Sequence, residues 1–461
     1  MTLVIKETTY HLVGIGGIGM SAIARLLLAR GDRVGGSDVK RTPLIAELES
    51  EGAVVAVGHR AANVGVPDIV VVSSAIAHDN PEYVAALARG IPIVTRGEML
   101  AMIIGTTPTV AIAGTHGKTT TTSMVATIFE TAGYDPTVAV GGQRIDSASN
   151  ARSGSGNWFV TESDESDGSF LRLSPTIAVI TNIENDHIAS DADLPRLVGQ
   201  FAAFLAKLPA AGTAVIGVDN AVSASLVAHV TAPVTTFATR AAADLRAIGI
   251  RYELLGSSFT VDMRGDELGR IVLNVPGEIN VQNALAAIGV ALAADIPFAT
   301  IARALDGFHG VRRRFEIVGR SATMTVVDDY AHHPTAIAQT IAAARNATSG
   351  PVIVAFQPHR YTRTAYLAAD FARALAGADC VYLTPVYAAA EDPIPGISER
   401  SIGEPLAAAG TPVVYVDDVE ALVLRIPQDV AANAFVLMLG AGSISTVAHK
   451  LGAAIATVPV A

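Results

Sequence analysis

The 461-residue sequence predicts an α/β protein of three units in series, and three observations carry that expectation. Strand-like runs of Val and Ile recur at Tyr10-Val13, Asp68-Val72, Val110-Ala113, Thr176-Ile180, Ala214-Gly217, Pro351-Phe356, Cys380-Leu383 and Phe435-Leu439, with alanine-rich helical stretches between many of them. That alternation marks parallel sheets covered on both faces. Two glycine-rich loops each follow such a strand and precede a helical run. Only one region departs from the rhythm: Tyr252-Val261 and Arg270-Val275, split by Arg264-Gly265-Asp266, read as a small antiparallel hairpin inserted in the middle unit.

The elements follow in order. From His11 to Ala29 the chain is apolar enough to suggest a leader or membrane segment, but four glycines and Arg25 interrupt it, so it reads as strand, turn and helix. The polar segment Gly105 to Pro108 separates the first unit from the strand that opens the second. Ala284 to Leu305 reads as helices broken near Asp295 to Pro297, and a second boundary falls after Phe315. The expected domains are 1–106, 107–317 and 318–461.

Composition removes several function classes. A net charge of −11 argues against general affinity for nucleic acid or anionic membrane, so an anionic ligand needs a local site. The single cysteine, Cys380, excludes an internal disulfide or thiolate metal cluster, and its apolar surroundings suit a structural thiol. No membrane insertion is expected, and a cytoplasmic location is.

Gly14, Gly16 and Gly19 form G-x-G-x-x-G between strand and helix, where glycines let the backbone approach a diphosphate and the helix N-terminus meets its charge. Asp38, ending the next strand, stands where a ribose hydroxyl would be read. The second loop, Gly114-Thr115-His116-Gly117-Lys118-Thr119-Thr120, has the logic of a P-loop: amides around phosphate oxygens, Lys118 at the terminal phosphates, the Thr119 hydroxyl on magnesium. Ile112 stands where a full Walker pattern has its first glycine. Two later segments, Glu162 to Asp167 and Asn182 to His187, supply hard oxygen ligands and an imidazole for that cation.

Basic groups cluster further on. Arg312-Arg313-Arg314 precedes Asp328-Asp329-Tyr330-Ala331-His332-His333, and Gln357-Pro358-His359-Arg360-Tyr361-Thr362-Arg363 follows another strand. Arg360 and Arg363, three apart, would share one face of a helical turn and hold a carboxylate or phosphate. The two aspartates read equally as a solvated turn. No further His or Cys stands at zinc spacing from His332-His333.

With these segments in place the chain resembles the Mur ligases of peptidoglycan synthesis. The resemblance runs in order through GIGGIGMSAIA, GTHGKTTTT, ESDESDGSFL, NVPGEINVQNA, GVRRRFE, DDYAHHPTA, FQPHRYTRT, VYAAAEDP and GAGSIS. It implies an N-terminal Rossmann-like domain holding a UDP-sugar, a central P-loop ATPase domain, and a C-terminal Rossmann-like domain that binds the amino acid and closes on ATP. It implies ATP and Mg2+ as cofactors and UDP-N-acetylmuramate and L-alanine as substrates, in a monomer or homodimer.

Residue by residue, the resemblance gives Thr119, Glu162 and His187 to magnesium, and Asn283, Arg313 and Asp329 to the nucleotide beside the 114–120 loop. It gives Gly14, Gly16, Gly17, Gly19, Met20, Asp38, Ser73 and Ser74 to the UDP-sugar. Tyr330, His332, Arg360 and Arg363 would surround the incoming alanine, with His332 as the candidate base. Two positions depart from the pattern: Ile279 stands where the family commonly has histidine, and Ala189 where it has aspartate. The rivals are a nicotinamide-dependent oxidoreductase using the first loop, a P-loop ATPase with no ligase activity, and a recycling ligase that adds a tripeptide; the FQPHRYTRT segment favours alanine.

Overall fold

A computed structural model describes residues 7–456 except 148, 166, 167, 185–193, 254, 431 and 432. The fold is a three-domain α/β arrangement of mostly parallel sheets with a mixed central sheet, and the described residues pack as two compact units. Among them no helix is long and apolar enough to cross a membrane.

The first unit comprises the chain up to Ile183, Arg196–Phe237 and Ala286–Ile301. Its N-terminal sheet has five parallel strands in the order Val54–Val57, Arg33–Asp38, Thr9–Val13, Ile69–Val72, Ile93–Thr95. The glycine segment is, as expected, a turn between the strand Thr9–Val13 and the helix Ile18–Ala29. The central sheet runs Val234–Ala238, Thr213–Gly217, Ile177–Ile180, Thr109–Ala113, Phe159–Glu162, Thr137–Ala139, Ala151–Arg152, and only the last strand is antiparallel to its neighbour. All five residues of Thr109–Ala113 are buried, which is why this strand reads as a continuous apolar run rather than an alternating one.

The second unit comprises Ala238–Leu285, Ala302 onward and the short stretch from Glu184. The expected hairpin is a meander of three strands, Leu245–Glu253, Gly256–Met263 and Asp266–Leu273. The run Tyr252-Val261 therefore holds a turn near Leu255. Its β-prone residues hide that turn, since Gly256, the one glycine in the run, already pairs with Glu253. The turn at Arg264-Gly265 is as expected, with both residues at positive φ.

The C-terminal sheet runs Glu316–Arg320, Met324–Asp329, Ala434–Leu439, Val352–Phe356, Cys380–Leu383, Val413–Tyr415, with Glu316–Arg320 antiparallel and the rest parallel. Its strands alternate strictly. Val327, Val354, Phe356, Leu437 and Leu439 enter one apolar cluster, whereas Met324, Val326, Ile353, Val436 and Met438 enter another with the helix Ile444–Ala456. Each such side chain contributes about 1.5–3 kcal/mol of burial, so register here is strongly fixed. The alternation also places Asp328 on the face of Val326 and Asp329 on that of Val327. Both aspartates are buried strand residues, 0% and 9% exposed, not the solvated turn that their polarity suggests.

Helix Ile444–Ala456 lies against the strand Glu316–Arg320 at Gly452 and Gly319, where an added Cβ would strike the facing backbone. Alanine normally stabilises a helix interior relative to glycine by roughly 0.5–1 kcal/mol. At Gly452 the sign should reverse: Gly452→Ala is expected to destabilise by about 1–3 kcal/mol, read as a lower denaturation midpoint in urea.

Candidate active site

In the N-terminal sheet the first glycine loop hangs from Ser37, whose carbonyl accepts the Gly14 and Ile15 amides at 2.8 and 3.0 Å. Gly14 takes φ of 82°, a conformation that favours glycine, and lies beside Ser73. Asp38 accepts the Gly16 amide at 2.9 Å and so braces the loop from below. Gly17 sits at the start of the helix, Gly19 faces Arg96, Met20 is buried, and Ser74 is exposed beside Ser73.

Behind Ser37 lies a group that sequence inspection missed. The fully buried Glu82 carboxylate takes hydrogen bonds from Ser37 Oγ at 2.6 Å, Asn63 Nδ2 at 2.6 Å and the Arg60 amide at 3.1 Å, and pairs with His11 Nε2 at 2.8 Å. Burial pushes its pKa up, but the bonds from His11, Ser37, Asn63 and Arg60 outweigh that and hold it at about 2.

The second loop is built at the carboxyl edge of the central sheet. Registers Ala113↔Ile180 and Ile112↔Glu162 bring the ends of three strands side by side. Asn182 anchors the loop: its carbonyl accepts the Thr115 amide at 3.0 Å, its Oδ1 the His116 amide at 2.9 Å, and its Nδ2 donates to the His116 carbonyl at 3.1 Å. Gly114 has φ of 128° and Gly117 of 84°, and a Cβ on Gly114 would collide with Thr181. Gly117 opens the helix Lys118–Thr131, so Thr119 and Thr120, both buried, fall in its first turn, where the helix dipole favours an anion.

Lys118 Nζ donates to the Gly114 carbonyl at 2.6 Å and to both oxygens of Glu165 at 2.8 and 2.9 Å. Burial lowers the pKa of its ammonium, but Glu165, then Asp164 and Glu162, outweigh this and raise it. Glu162 ends its strand against Gly141, where any Cβ would collide with the carboxylate. Thr119 and Glu162 offer the hard oxygens that magnesium takes, and the open glycine cradle above Lys118 suits a phosphate chain. His187, Asn185 and Asp186, with Ser166, Asp167 and Ala189, lie outside the described residues.

The second unit carries Asn283 on a helix and, separately, a cluster at the carboxyl edge of the C-terminal sheet. Asn283, in helix Glu278–Ala293, is buried and donates to Asn280 Oδ1 at 3.2 Å, one turn from Ile279. Asp329 accepts the Phe315 and Ala331 amides, both at 2.7 Å; burial pushes its carboxyl up to about 6 against the charge of Arg314 and those two amides. Arg313 and Arg314 both lie over the Tyr330 ring, at 4.8 and 4.9 Å, and Arg313 donates to the Gly440 carbonyl at 3.1 Å. Arg314 was missed in the sequence because three consecutive arginines carry no sign of which faces the aspartate.

His332 Nδ1 meets the Tyr330 carbonyl at 2.8 Å. A carbonyl only accepts, so Nδ1 carries a proton in this contact, which fixes the ring's orientation. The ring stands edge-on to Tyr330 and to His359, which stacks on Tyr387 and touches Arg363 Nη1 at 3.4 Å. His359 and Tyr387 thus join the cluster from loops that the sequence showed only as segments.

Arg360 and Arg363 do not share a helical face. His359 bridges Tyr387 and the Arg360 amide donates to the Tyr387 carbonyl at 2.9 Å, which pulls Arg360 to φ of 73° ahead of the helix Tyr361–Leu375. Arg360 is exposed and Arg363 is 8% exposed. Cys380 is half-buried at the start of its strand, and burial pushes its thiol up, which suits the inert role expected.

A P-loop at the edge of a parallel sheet, with hard oxygen donors beside it, defines a nucleotide-dependent α/β enzyme. Family comparison narrows the class: "Mur ligase family, catalytic domain" matches residues 9–107, "Mur ligase middle domain" residues 112–291, and "Mur ligase, glutamate ligase domain" residues 313–442. The chain belongs to the Mur ligase family. A UDP-N-acetylmuramate–L-alanine ligase of Geotalea uraniireducens is 45% identical, with 97% of this chain and 98% of that protein covered, and one of Acidithiobacillus ferrooxidans is 47% identical, with 95% and 96% covered. Among solved structures, the UDP-N-acetylmuramate–alanine ligase of Thermotoga maritima superposes with TM-score 0.84 at 30% identity, covering 96% of this chain and 98% of that one. A murein peptide ligase of Psychrobacter arcticus gives TM-score 0.73 at 25% identity, covering 98% and 100%.

Because Glu82 has its pKa depressed in the folded state, its contribution to stability is present above the unfolded carboxylate value of 4.5 and is lost as pH falls through about 2. Glu82→Gln should cost on the order of 3 kcal/mol at pH 7. The gap between mutant and wild type should close between about pH 5 and pH 2, and urea unfolding across that range measures it.

Proposed function

We propose that this chain is an ATP-dependent ligase that joins L-alanine to UDP-N-acetylmuramate through an acyl phosphate, in the cytoplasmic synthesis of peptidoglycan precursors. The observation that carries the reading is the second glycine loop itself, anchored by Asn182 ahead of the helix Lys118–Thr131 and bearing Lys118, within a chain alike over nearly its whole length to alanine-adding ligases. In this reading domain 1–106 takes the UDP-sugar, 107–317 takes ATP, and 318–461 takes the amino acid, in a monomer or homodimer.

The chemistry divides among named residues. Magnesium, held by Thr119, Glu162 and His187, would supply positive charge at the phosphates. The start of the helix Lys118–Thr131 and the Lys118 ammonium orient the terminal phosphoryl group for attack by the muramoyl carboxylate, and stabilise the charge that builds on it. ADP departs and leaves the acyl phosphate. Glu165 gives up part of its hold on Lys118 as the nucleotide enters, since the three donors of the ammonium already serve the Gly114 carbonyl and both Glu165 oxygens. Asn283, Arg313 and Asp329 contact the nucleoside, and the Tyr330 ring is already fixed by two guanidinium groups.

Arg363, with Arg360, holds the carboxylate of alanine. Its amine attacks the acyl carbonyl, His332 Nε2 receives the proton, and phosphate leaves as the tetrahedral intermediate collapses. Gly14, Gly16, Gly17, Gly19, Met20, Asp38, Ser73 and Ser74 bind the UDP-sugar.

Phosphate release from ATP is expected only with UDP-N-acetylmuramate and L-alanine together, and the product should be heavier by one alanyl residue. Release with a tripeptide in place of alanine would move the assignment to the recycling ligases, and release indifferent to the sugar would overturn it. Lys118→Ala should lower turnover by about 100-fold or more. Arg363→Ala should raise KM for alanine by about tenfold or more while KM for ATP stays close to wild type, as initial-rate kinetics would register.

A further inference from the structure

We propose that Glu316, Asp328 and His449 form a binding site for a divalent cation of the zinc type, distinct from the magnesium position at the phosphate loop. Glu316 and Asp328 face one another across the antiparallel pair Glu316–Arg320 and Met324–Asp329, and His449 reaches them from the helix Ile444–Ala456. One ligand atom from each lies within 4.8 Å of the other two. Two carboxylates and an imidazole, with a water completing the set, suit zinc or manganese better than magnesium, which avoids nitrogen.

The independent sign is the Asp328 carboxylate. It is 0% exposed, and its Oδ1 has no hydrogen-bond partner, although buried carboxylate oxygens normally have one. Its Oδ2 accepts from Ser445 Oγ at 2.5 Å and stands 3.6 Å from His449 Nε2. Ser445 orients the carboxylate as an outer partner of a metal ligand does.

The neighbouring cation, Arg313, does not hydrogen-bond the Asp328 carboxylate. Arg313 acts on Asp328 at a distance, but its guanidinium donates to Gly440, and only its backbone amide engages Glu316, at Oε2 and 2.8 Å. His449 is about half exposed and can swing the last ångström inward. The glycines at 319 and 452 let the helix lie close enough for that short reach. Because strand residues alternate, Asp328 faces this helix while Asp329 faces the opposite cluster, so the cation would tie the last helix to the sheet from behind the nucleotide contacts.

Equilibrium dialysis of the full-length protein against Zn2+, with excess Mg2+ present, tests the proposal by counting bound zinc per chain. One Zn2+ is expected in wild type and also in Glu162→Gln, which removes a ligand only from the phosphate-loop site. His449→Ala and Glu316→Gln should each weaken that zinc by roughly tenfold or more. They should also abolish the visible absorption of the Co2+-loaded protein while their melting temperatures without metal stay at the wild-type value. Zinc affinity equal in wild type and His449→Ala, loss of zinc in Glu162→Gln alone, or no zinc bound by wild type would overturn the proposal.

Discussion

A chain with a net charge of −11 that must hold polyanions can do so only by concentrating positive potential where the ligand sits. At the second glycine loop, whose path Asn182 fixes, that potential comes from the start of the helix Lys118–Thr131 and one ammonium. The ammonium would be costly if left bare, and Glu165 answers that cost in the absence of nucleotide. An all-buried strand lies below the loop, and glycines stand at 114 and 141, where a Cβ would collide with Thr181 and Glu162.

The same constraint recurs at smaller scale. Glu82 sits fully buried behind the first loop, where its hydrogen bonds fix Ser37 and, through the Ser37 carbonyl, the amides of Gly14 and Ile15. In the second unit Asp329 is held by two amides, and two arginines are laid across Tyr330. Charged groups on a helix start, at Glu82, and at a strand end, at Asp329, are immobilised by hydrogen bonds, which is what preorganisation requires of a site that stabilises a transition state.

The parts of this arrangement that depend on local sequence were legible. Strand, glycine turn and helix occur in immediate succession, so both phosphate loops could be placed to the residue, and so could the break between the helices Glu278–Ala293 and Phe298–Asp306. What depends on pairing between distant segments was not. Asn182 reads as part of an acidic segment, yet it works through backbone bonds to His116, far away in the chain. Asp328 and Asp329 read as a turn because polarity signals solvent, whereas amides and a helix supply their surroundings. Arg360 lost its helical position to a bridge with the loop of Tyr387. Tertiary pairing overrides local preference at such places, and they are the places where chemistry is arranged.

Of the nine residues other than glycine with positive φ among the described residues, five fall in loops of the second unit's cluster: Arg313, Phe315, Arg360, Ala389 and Ala390. Each adopts a conformation that costs of order 1 kcal/mol for a side chain and that glycine would accept freely. A chain selected for folding alone would put glycine at these positions and gain stability, but the loops would then wander over many conformations and hold their guanidinium groups in none. This protein has traded thermodynamic margin for a rigid rim, so variants bred for heat resistance will find their easiest gains where turnover has the most to lose.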